Sequence, residues 1–235
     1  LQNKNKYGEV NTDFSLVSQI LQLIPKHKFK DPKLKWLDPC CGSGYFSMVL
    51  YKLLFENLPI KDEEEKHNHI IMNMLYMVEI NEEHLPLLKV IFGEKANIKC
   101  ENFLETTGSY DMIIGNPPFN CNGAIKVPTN KSISKKSDGV SIWQLFIKHS
   151  LQLLKKRTGC LTFITPSIWL KHDHSMFEFM IQYNIKKIKT MTNTETNKIF
   201  HGQAQTPTCY FTLTKNKISK FPIYKPIPIY DKALN

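Results

Sequence analysis

The sequence lacks any C-x-x-C spacing, and no apolar run approaches the roughly 20 residues that a membrane helix needs. Two of its six cysteines, Cys40 and Cys41, are adjacent, which is a poor geometry for a disulfide. These absences exclude a disulfide scaffold and a zinc site, and they predict a reduced intracellular protein. The N-terminus carries no secretory signal, and since it starts at Leu1 rather than Met we expect a trimmed sequence.

Acidic residues are scarce relative to basic ones. The 235 residues include 31 Lys and Arg against 21 Asp and Glu, a formal net charge of +10. A domain this basic tends to bind a polyanion, although a lysine-rich composition without a ligand is the alternative. A polar segment without apolar periodicity, residues 120–139, concentrates part of this charge. Its lysines are predicted to contact backbone phosphates; they are Lys126, Lys131, Lys135 and Lys136.

Apolar residues make up 42% of the chain, enough for the core of one large α/β domain. Seven short apolar segments have the length and composition of buried strands; they span residues 34–40, 73–80, 97–100, 110–115, 159–166, 185–191 and 206–214. Helical periodicity between them predicts crossover connections and a mostly parallel sheet with helices on both faces. No helix is predicted between the last two strands, so one antiparallel edge strand is expected. Residues 61–68 are predicted to form a polar loop.

Ligands of parallel α/β sheets bind at the carboxyl ends of the strands. After the first strand, Gly42 and Gly44 let the backbone approach a ligand before the next helix begins. A third glycine in register and a Gly-Lys-Ser ending are missing, which argues against a nucleotide-phosphate loop. The second strand ends at Glu79, whose carboxylate can accept hydrogen bonds from ribose hydroxyls, and Ile80 suits an adenine face. Residues 102–103, an amide and an aromatic ring, suit the adenine edge.

The fourth strand ends in the tetrapeptide Asn116, Pro117, Pro118 and Phe119. The two prolines fix their own φ angles and keep the preceding residues out of the helical region. The resulting rigid turn is predicted to aim the Asn116 side chain and the Pro117 carbonyl into the cleft. Two acceptors at fixed separation match the two hydrogens of a planar amino group, and Phe119 adds a flat face for stacking. The alternative is a plain loop.

Together, DPCCGSGYF at residues 38–46 and NPPF at residues 116–119 resemble the cofactor loop and catalytic tetrapeptide of the S-adenosylmethionine-dependent DNA adenine-N6 methyltransferases. The order matches the class whose cofactor region comes first and whose target-recognition region comes last. The resemblance implies a Rossmann-like class I methyltransferase fold. Residues 1–219 are expected to form the catalytic domain, and residues 220–235 a linker or the start of a missing target-recognition region.

Site roles follow from the resemblance and from the strand ends above. The residues expected to bind the cofactor S-adenosylmethionine are Thr12, Asp38, Cys40, Gly42, Gly44, Phe46, Glu79, Ile80, Asn102, Phe103 and Asn116. The catalytic residues are expected to be Asn116, Pro117 and Phe119. Pro118 and Phe119 would contact the extruded base, and Phe200 would cover its second face. Asn102 stands where the family commonly has Asp.

The implied activity is methyl transfer to the N6 amino group of an adenine extruded from double-stranded DNA. An RNA adenine or a protein glutamine stays open as the acceptor, since each presents a planar amino nitrogen. A non-catalytic methyltransferase-fold subunit is a further alternative. An NAD-dependent enzyme lacks its glycine pattern here and leaves residues 116–119 unexplained. A fused or separate target-recognition or nuclease region is the expected partner, with no membrane involved.

Overall fold

The computed structural model describes residues 7–8, 10–121, 140–217 and 229–230. The four lysines predicted to contact phosphates lie outside these residues. The strands of the described part are β1 (Trp36–Asp38), β2 (Leu75–Glu79), β3 (Asn97–Cys100), β4 (Met112–Gly115), β5 (Asn120–Cys121), β6 (Val140–Ser141), β7 (Cys160–Pro166), β8 (Tyr183–Met191), β9 (Thr208–Lys217) and β10 (Ile229–Tyr230).

Eight of these strands form one sheet in the order β10-β8-β9-β7-β4-β1-β2-β3, while β5 and β6 form a separate pair. Strand β9 runs antiparallel to both of its neighbours, β7 and β8, and the other pairings in the sheet are parallel. The predicted mostly parallel sheet, with its antiparallel strand towards one edge, is confirmed. Two details differ, because β9 lies one strand inside β8 and because β10 adds a short eighth strand beyond it.

The helices of the described part are α1 (Phe14–Leu21), α2 (Tyr45–Asn57), α3 (Glu63–His69), α4 (Leu85–Phe92), α5 (Trp143–Leu153), α6 (Ser175–Ile181) and α7 (Asn193–Ile199). None of them is long and apolar enough to cross a bilayer.

Two predictions about helices were wrong. The expected polar loop at residues 61–68 contains most of α3, and α7 lies between the last two predicted strands. Both helices are short and polar, so apolar periodicity could not reveal them. The Asp62 carboxylate accepts the N–H of Glu65 at the start of α3, and a capping box of Thr192 and Glu195 begins α7.

Successive strand residues point to opposite faces of the sheet and supply two separate cores. Trp36 and Ile114 lie in one buried cluster, together with apolar residues of α1, α2 and α4. Leu37 and Ile113 lie in the other cluster, together with residues of α5 and α6. The predicted helices on both faces are thus confirmed, and the sheet lies between the two cores. The carboxyl ends of β1, β2 and β4 are left to form one edge.

Candidate active site

A cavity of about 580 Å³ lies at this edge, within the usual size range of ligand pockets. Most of the site residues that the sequence predicts at the strand ends line this cavity. The predicted cofactor and substrate residues in its wall are Thr12, Cys40, Gly42, Phe46, Glu79, Ile80, Asn102, Phe103, Asn116, Pro117, Pro118 and Phe119. Asp38, Gly44 and Phe200 were predicted with them and are not part of the wall.

Asp38 supports the turn after β1 from behind. Its side chain is buried, and its Oδ2 accepts a hydrogen bond from Ser47 Oγ at 2.8 Å. Burial disfavours the charged form and is the main reason that the pKa of Asp38 is raised to about 7. The nearby Glu79 carboxylate also raises this pKa, while hydrogen bonds from Ser47 and from the Cys40 N–H lower it. The geometry makes Asp38 a support of the turn rather than a surface for the ligand.

Gly44 shapes the same turn at the point where α2 begins. Its φ of +88° lies in the left-handed region that favours glycine. A Cβ there would lie 3.1 Å from Leu88 Cδ2 and 3.3 Å from Phe92 Cε2, both on α4. The absence of a side chain at Gly44 therefore lets the turn pack closely on α4.

Glu79 ties the ends of β1 and β2 together. Its Oε2 accepts the Gly42 N–H and its Oε1 accepts the Asn81 N–H, both at 2.7 Å. Each carboxylate oxygen has a second lone pair, so the group still has acceptor capacity for a ligand hydroxyl. Next to it, the Ile80 side chain is 49% exposed although it lies in the cavity wall. This combination of acceptor and apolar surface suits a nucleoside.

Asn102 is engaged with its own turn. Its Oδ1 accepts the Leu104 N–H at 3.1 Å, and its Nδ2 donates to Glu105 Oε1 at 3.2 Å. Phe103 is buried, with its ring 4.9 Å from that of Phe146. The structure places both residues at the cavity, while the adenine-edge contact expected of Asn102 stays a prediction.

The Asn116 amide is held from one side only. Its Nδ2 donates to Thr12 Oγ1 at 2.9 Å and to the Val10 carbonyl at 3.5 Å. Its Oδ1 is buried and has no hydrogen-bond partner among the described residues. Buried acceptors are normally paired, so an orphaned one in a cavity wall marks a place for a ligand donor. The backbone carbonyl of Asn116 accepts the Cys40 thiol at 3.3 Å.

The N-terminal segment, residues 7–8 and 10–12, forms the part of the wall beside Asn116. Gly8 has a φ of +71°, and a Cβ at this position would collide with the Asn120 carbonyl. Only glycine therefore lets this segment pass so close to the start of β5.

Phe119 ends the tetrapeptide and directly precedes β5. Its carbonyl accepts the Ile142 N–H at 3.1 Å, and its half-buried ring packs against the second core. Trp143 and Phe146, one turn apart on α5, also line the cavity. The apolar periodicity of the sequence places these two residues in a helix but does not assign them to the site. Aromatic rings at the start of that helix, directly after the lysine-rich segment, were the signal that could have identified them.

Phe200 lies away from the cavity wall. It follows the last turn of α7 and is 1% exposed within the first core. The structure therefore does not bring it opposite Phe119. Residues 203–206, which precede β9, line the cavity instead. The stretch between α7 and β9 thus reaches the site through polar residues and Ala204 rather than through an aromatic ring.

The thiols near the cavity are not set up as nucleophiles. Burial raises the pKa of Cys40 and of Cys41 well above the ordinary value, and the negative charges of Asp38 and Glu79 act in the same direction. Within the described ranges, no three His, Cys, Asp or Glu side chains converge as metal ligands.

Comparison with known proteins places this geometry in context. A model of the Eco57I restriction-modification methylase family matches residues 18–200. The type I restriction enzyme MjaVIII methylase subunit of Methanocaldococcus jannaschii is 30% identical over 126 residues. That alignment covers 51% of this chain and 21% of the relative, so the chain spans about a fifth of its length.

Solved structures share the fold at low identity. A modification subunit assigned to a type I restriction enzyme from Vibrio vulnificus YJ016 has a TM-score of 0.65 at 16% identity, covering 88% of this chain and 45% of that one. A protein from Listeria monocytogenes, assigned as a class I S-adenosylmethionine-dependent methyltransferase, has a TM-score of 0.63 at 15% identity, covering 93% and 64%. The fold is therefore that of the class I methyltransferases.

Proposed function

The chain belongs to the Eco57I restriction-modification methylase family, and on that premise we propose that it transfers a methyl group from S-adenosylmethionine to adenine N6 in double-stranded DNA. The observation that carries the proposal is the Asn116 Oδ1, a buried acceptor without a partner among the described residues, in the wall of the cavity. An amino group of the substrate supplies the donor that this oxygen lacks.

The residues at the carboxyl ends of β1 and β2 fit the cofactor. Glu79 keeps acceptor capacity for the ribose hydroxyls, and the exposed Ile80 offers an apolar face for the adenine ring. Gly42 and the backbone around it permit close approach of the ligand. When bound, S-adenosylmethionine supplies a methyl group that is already activated by its sulfonium.

The tetrapeptide residues act on the nitrogen that attacks. Adenine N6 is a poor nucleophile because its lone pair is delocalised into the ring. Hydrogen bonds from N6–H to Asn116 Oδ1 and to the Pro117 carbonyl favour a pyramidal nitrogen with a more available lone pair. These bonds strengthen as positive charge develops on the nitrogen, which stabilises the transition state preferentially. The methylated nitrogen is acidic and can lose its proton after transfer, so no strong general base is required, in agreement with a tetrapeptide that contains no acid or histidine.

An adenine inside a duplex cannot reach this cavity, so the base must be extruded. Phe119 offers a half-buried ring for stacking, and Trp143, which is 3% exposed, lines the same wall. Base–aromatic stacking contributes about 1–3 kcal/mol per base and offsets part of the unstacking cost. The lysines of residues 126–136 are proposed to hold backbone phosphates.

The proposed enzyme acts with a target-recognition or nuclease region, fused or separate. The curated relative is a methylase subunit of a type I restriction enzyme, and this chain spans only about a fifth of it. With the proposed substrate, the protein is expected to work inside the cell.

The test is transfer of tritiated methyl groups to duplex DNA, RNA and a protein extract in parallel. We expect incorporation into duplex DNA to exceed that into RNA and protein. Preferential labelling of RNA or of protein would reject DNA as the substrate while leaving the chemistry of residue 116 intact. Calorimetric titration with S-adenosylmethionine that shows no binding would instead point to a non-catalytic subunit.

A further inference from the structure

The hydroxyl of Thr12 lies 2.9 Å from Asn116 Nδ2, and the two residues are 104 positions apart in the chain. We infer that Thr12 is a positioning residue: its hydroxyl anchors the Asn116 amide, while the Val10 carbonyl, which can only accept, sets the orientation that presents Oδ1, rather than Nδ2, to the substrate. This inference rests on the proposed function and adds to it a role for the N-terminal segment, which reaches the site from outside the sheet.

An asparagine amide can place its oxygen or its nitrogen on either side with almost the same shape. The Val10 carbonyl can only accept hydrogen bonds, so its proximity decides that the nitrogen faces the N-terminal segment. At 3.5 Å this contact is long, whereas the contact to Thr12 has the distance of a good hydrogen bond. The hydroxyl therefore contributes more to holding the amide than the carbonyl does.

The surroundings of Thr12 strengthen this hold. Thr12 is 4% exposed, so water cannot readily replace its hydroxyl as the acceptor. If the hydroxyl is lost, Nδ2 keeps only the long contact to Val10, so the amide is held less firmly in the orientation that presents Oδ1. Whenever the amide turns, a donor faces the N6 hydrogens where an acceptor is needed. Turnover should fall even though every catalytic residue is present.

This role differs from direct contact with the cofactor, which the sequence resemblance implies for Thr12. A cofactor contact sets the affinity for S-adenosylmethionine. A positioning residue sets the rate at saturating cofactor and acts only through Asn116. The two roles can therefore be separated by measuring binding and transfer independently.

The experiment compares Thr12→Val, which removes the hydroxyl at almost constant volume, with Thr12→Ser, which keeps it. The control is Thr162→Val, which breaks a buried threonine–threonine hydrogen bond between β7 and β9, away from the cavity. Cofactor affinity is measured by calorimetry, and single-turnover transfer to duplex DNA is measured with cofactor and DNA saturating. We expect Thr12→Val to slow transfer about tenfold, the scale of one lost neutral hydrogen bond, with affinity unchanged. Thr12→Ser and Thr162→Val should transfer at nearly the wild-type rate.

A double-mutant cycle tests whether Thr12 acts through Asn116. On an Asn116→Ala background, Thr12→Val should slow transfer no further. If Thr12→Val weakens cofactor binding and leaves the saturated rate unchanged, or if its effect multiplies that of Asn116→Ala, the inference is wrong.

A measurement without substrate separates this inference from the proposed function. The side-chain amide hydrogens of Asn116 can be assigned by NMR from the signals that Asn116→Ala removes. Their exchange with water should be slow in the wild type and at least about tenfold faster in Thr12→Val. Equal exchange in both proteins overturns the inference. A wild-type protein that methylates no DNA but shows the difference would refute the proposed function alone.

Discussion

The side-chain acceptors in the two halves of the site differ in whether the protein itself hydrogen-bonds them. At the ends of β1 and β2, the carboxylates of Asp38 and Glu79 are satisfied by Ser47 and by backbone N–H groups of the same turns. At the end of β4, the Asn116 amide is satisfied on its nitrogen side alone, and its oxygen is left without a partner among the described residues. The acceptors of the first half are already hydrogen-bonded within the protein, whereas the acceptor of the second half has no partner among the described residues.

This difference separates the groups that fix the shape of the cofactor site from the group that is proposed to act on the attacking nitrogen. Internal hydrogen bonds fix the glycine turn before any ligand binds, so the cost of ordering it is met during folding. An unpaired buried acceptor costs folding free energy. This cost is recovered only when a ligand donates a hydrogen bond to the acceptor. Changes in the first half should therefore act on cofactor binding and stability, and changes in the second half on the rate of transfer.

The largest effect is expected from Asn116→Ala. Removal of the acceptor should slow single-turnover methyl transfer about 100- to 1,000-fold, the scale seen when one hydrogen-bonding group that stabilises a transition state is lost. Calorimetry should show cofactor affinity changed by less than about threefold, since the glycine turn and Glu79 are untouched. Asn73→Ala, an exposed asparagine before β2, is the matched control. A wild-type rate in Asn116→Ala would remove the basis of the comparison.

Glu79→Gln should act on the other half. Only one of the two backbone N–H groups, those of Gly42 and Asn81, can keep an oxygen acceptor, and the charge is lost. We expect cofactor affinity to fall about 20-fold, as for a lost charge-assisted hydrogen bond. The transfer rate at saturating cofactor should stay close to wild type. Glu56→Gln, on an exposed part of α2, controls for the change of charge, and a slower saturated rate with normal affinity would contradict the division into halves.

Phe119→Ala should weaken DNA binding about tenfold, because one stacking surface of the extruded base is removed. Fluorescence anisotropy with duplex DNA in the presence of a non-reactive cofactor analogue measures this. The control is Phe200→Leu, which trims a ring buried in the first core and should lower the melting temperature while the folded protein binds DNA normally. An equal loss of DNA affinity in Phe200→Leu would restore the stacking role expected from the sequence.

The sequence could predict the positions of residues whose backbone conformation is restricted by the residue type itself. The prolines of residues 117–118 and the glycines of residues 42–44 restrict the backbone by themselves, so the strand ends could be located and brought to one edge of a sheet. The family and the fold class predicted from these motifs are confirmed. Helices α3 and α7 were not predicted, because capping interactions rather than apolar periodicity define where they begin.

Long-range packing was beyond the sequence. A phenylalanine at position 200 suits either a place in the core or a place facing the extruded base, so its identity does not distinguish the two. The packing of Phe200 in the first core does. The Thr12–Asn116 contact likewise joins distant parts of the chain, and nothing in either local sequence indicates it. The roles of the individual site residues stay predictions.

A change in stability, rather than in binding or rate, is expected from Asp38→Asn and depends on pH. The pKa of Asp38 is raised from 3.8 to about 7 in the folded protein, so the folded state binds this proton more tightly than the unfolded state. Its contribution to stability is present below about pH 4 and is lost as the pH rises towards 7. Urea unfolding between pH 5 and 7 should show the wild type losing roughly 1 kcal/mol per pH unit relative to Asp38→Asn. A difference between the two proteins that is independent of pH would show that Asp38 titrates normally.

The most direct test of the central claim identifies the atom that receives the methyl group. Duplex genomic DNA is incubated with the wild-type protein and S-adenosylmethionine bearing a deuterated methyl group, then digested to nucleosides for mass spectrometry. The proposed function predicts the label on N6 of deoxyadenosine, with almost none after incubation with Asn116→Ala. Label on N4 or on a ring carbon of deoxycytidine would contradict the account.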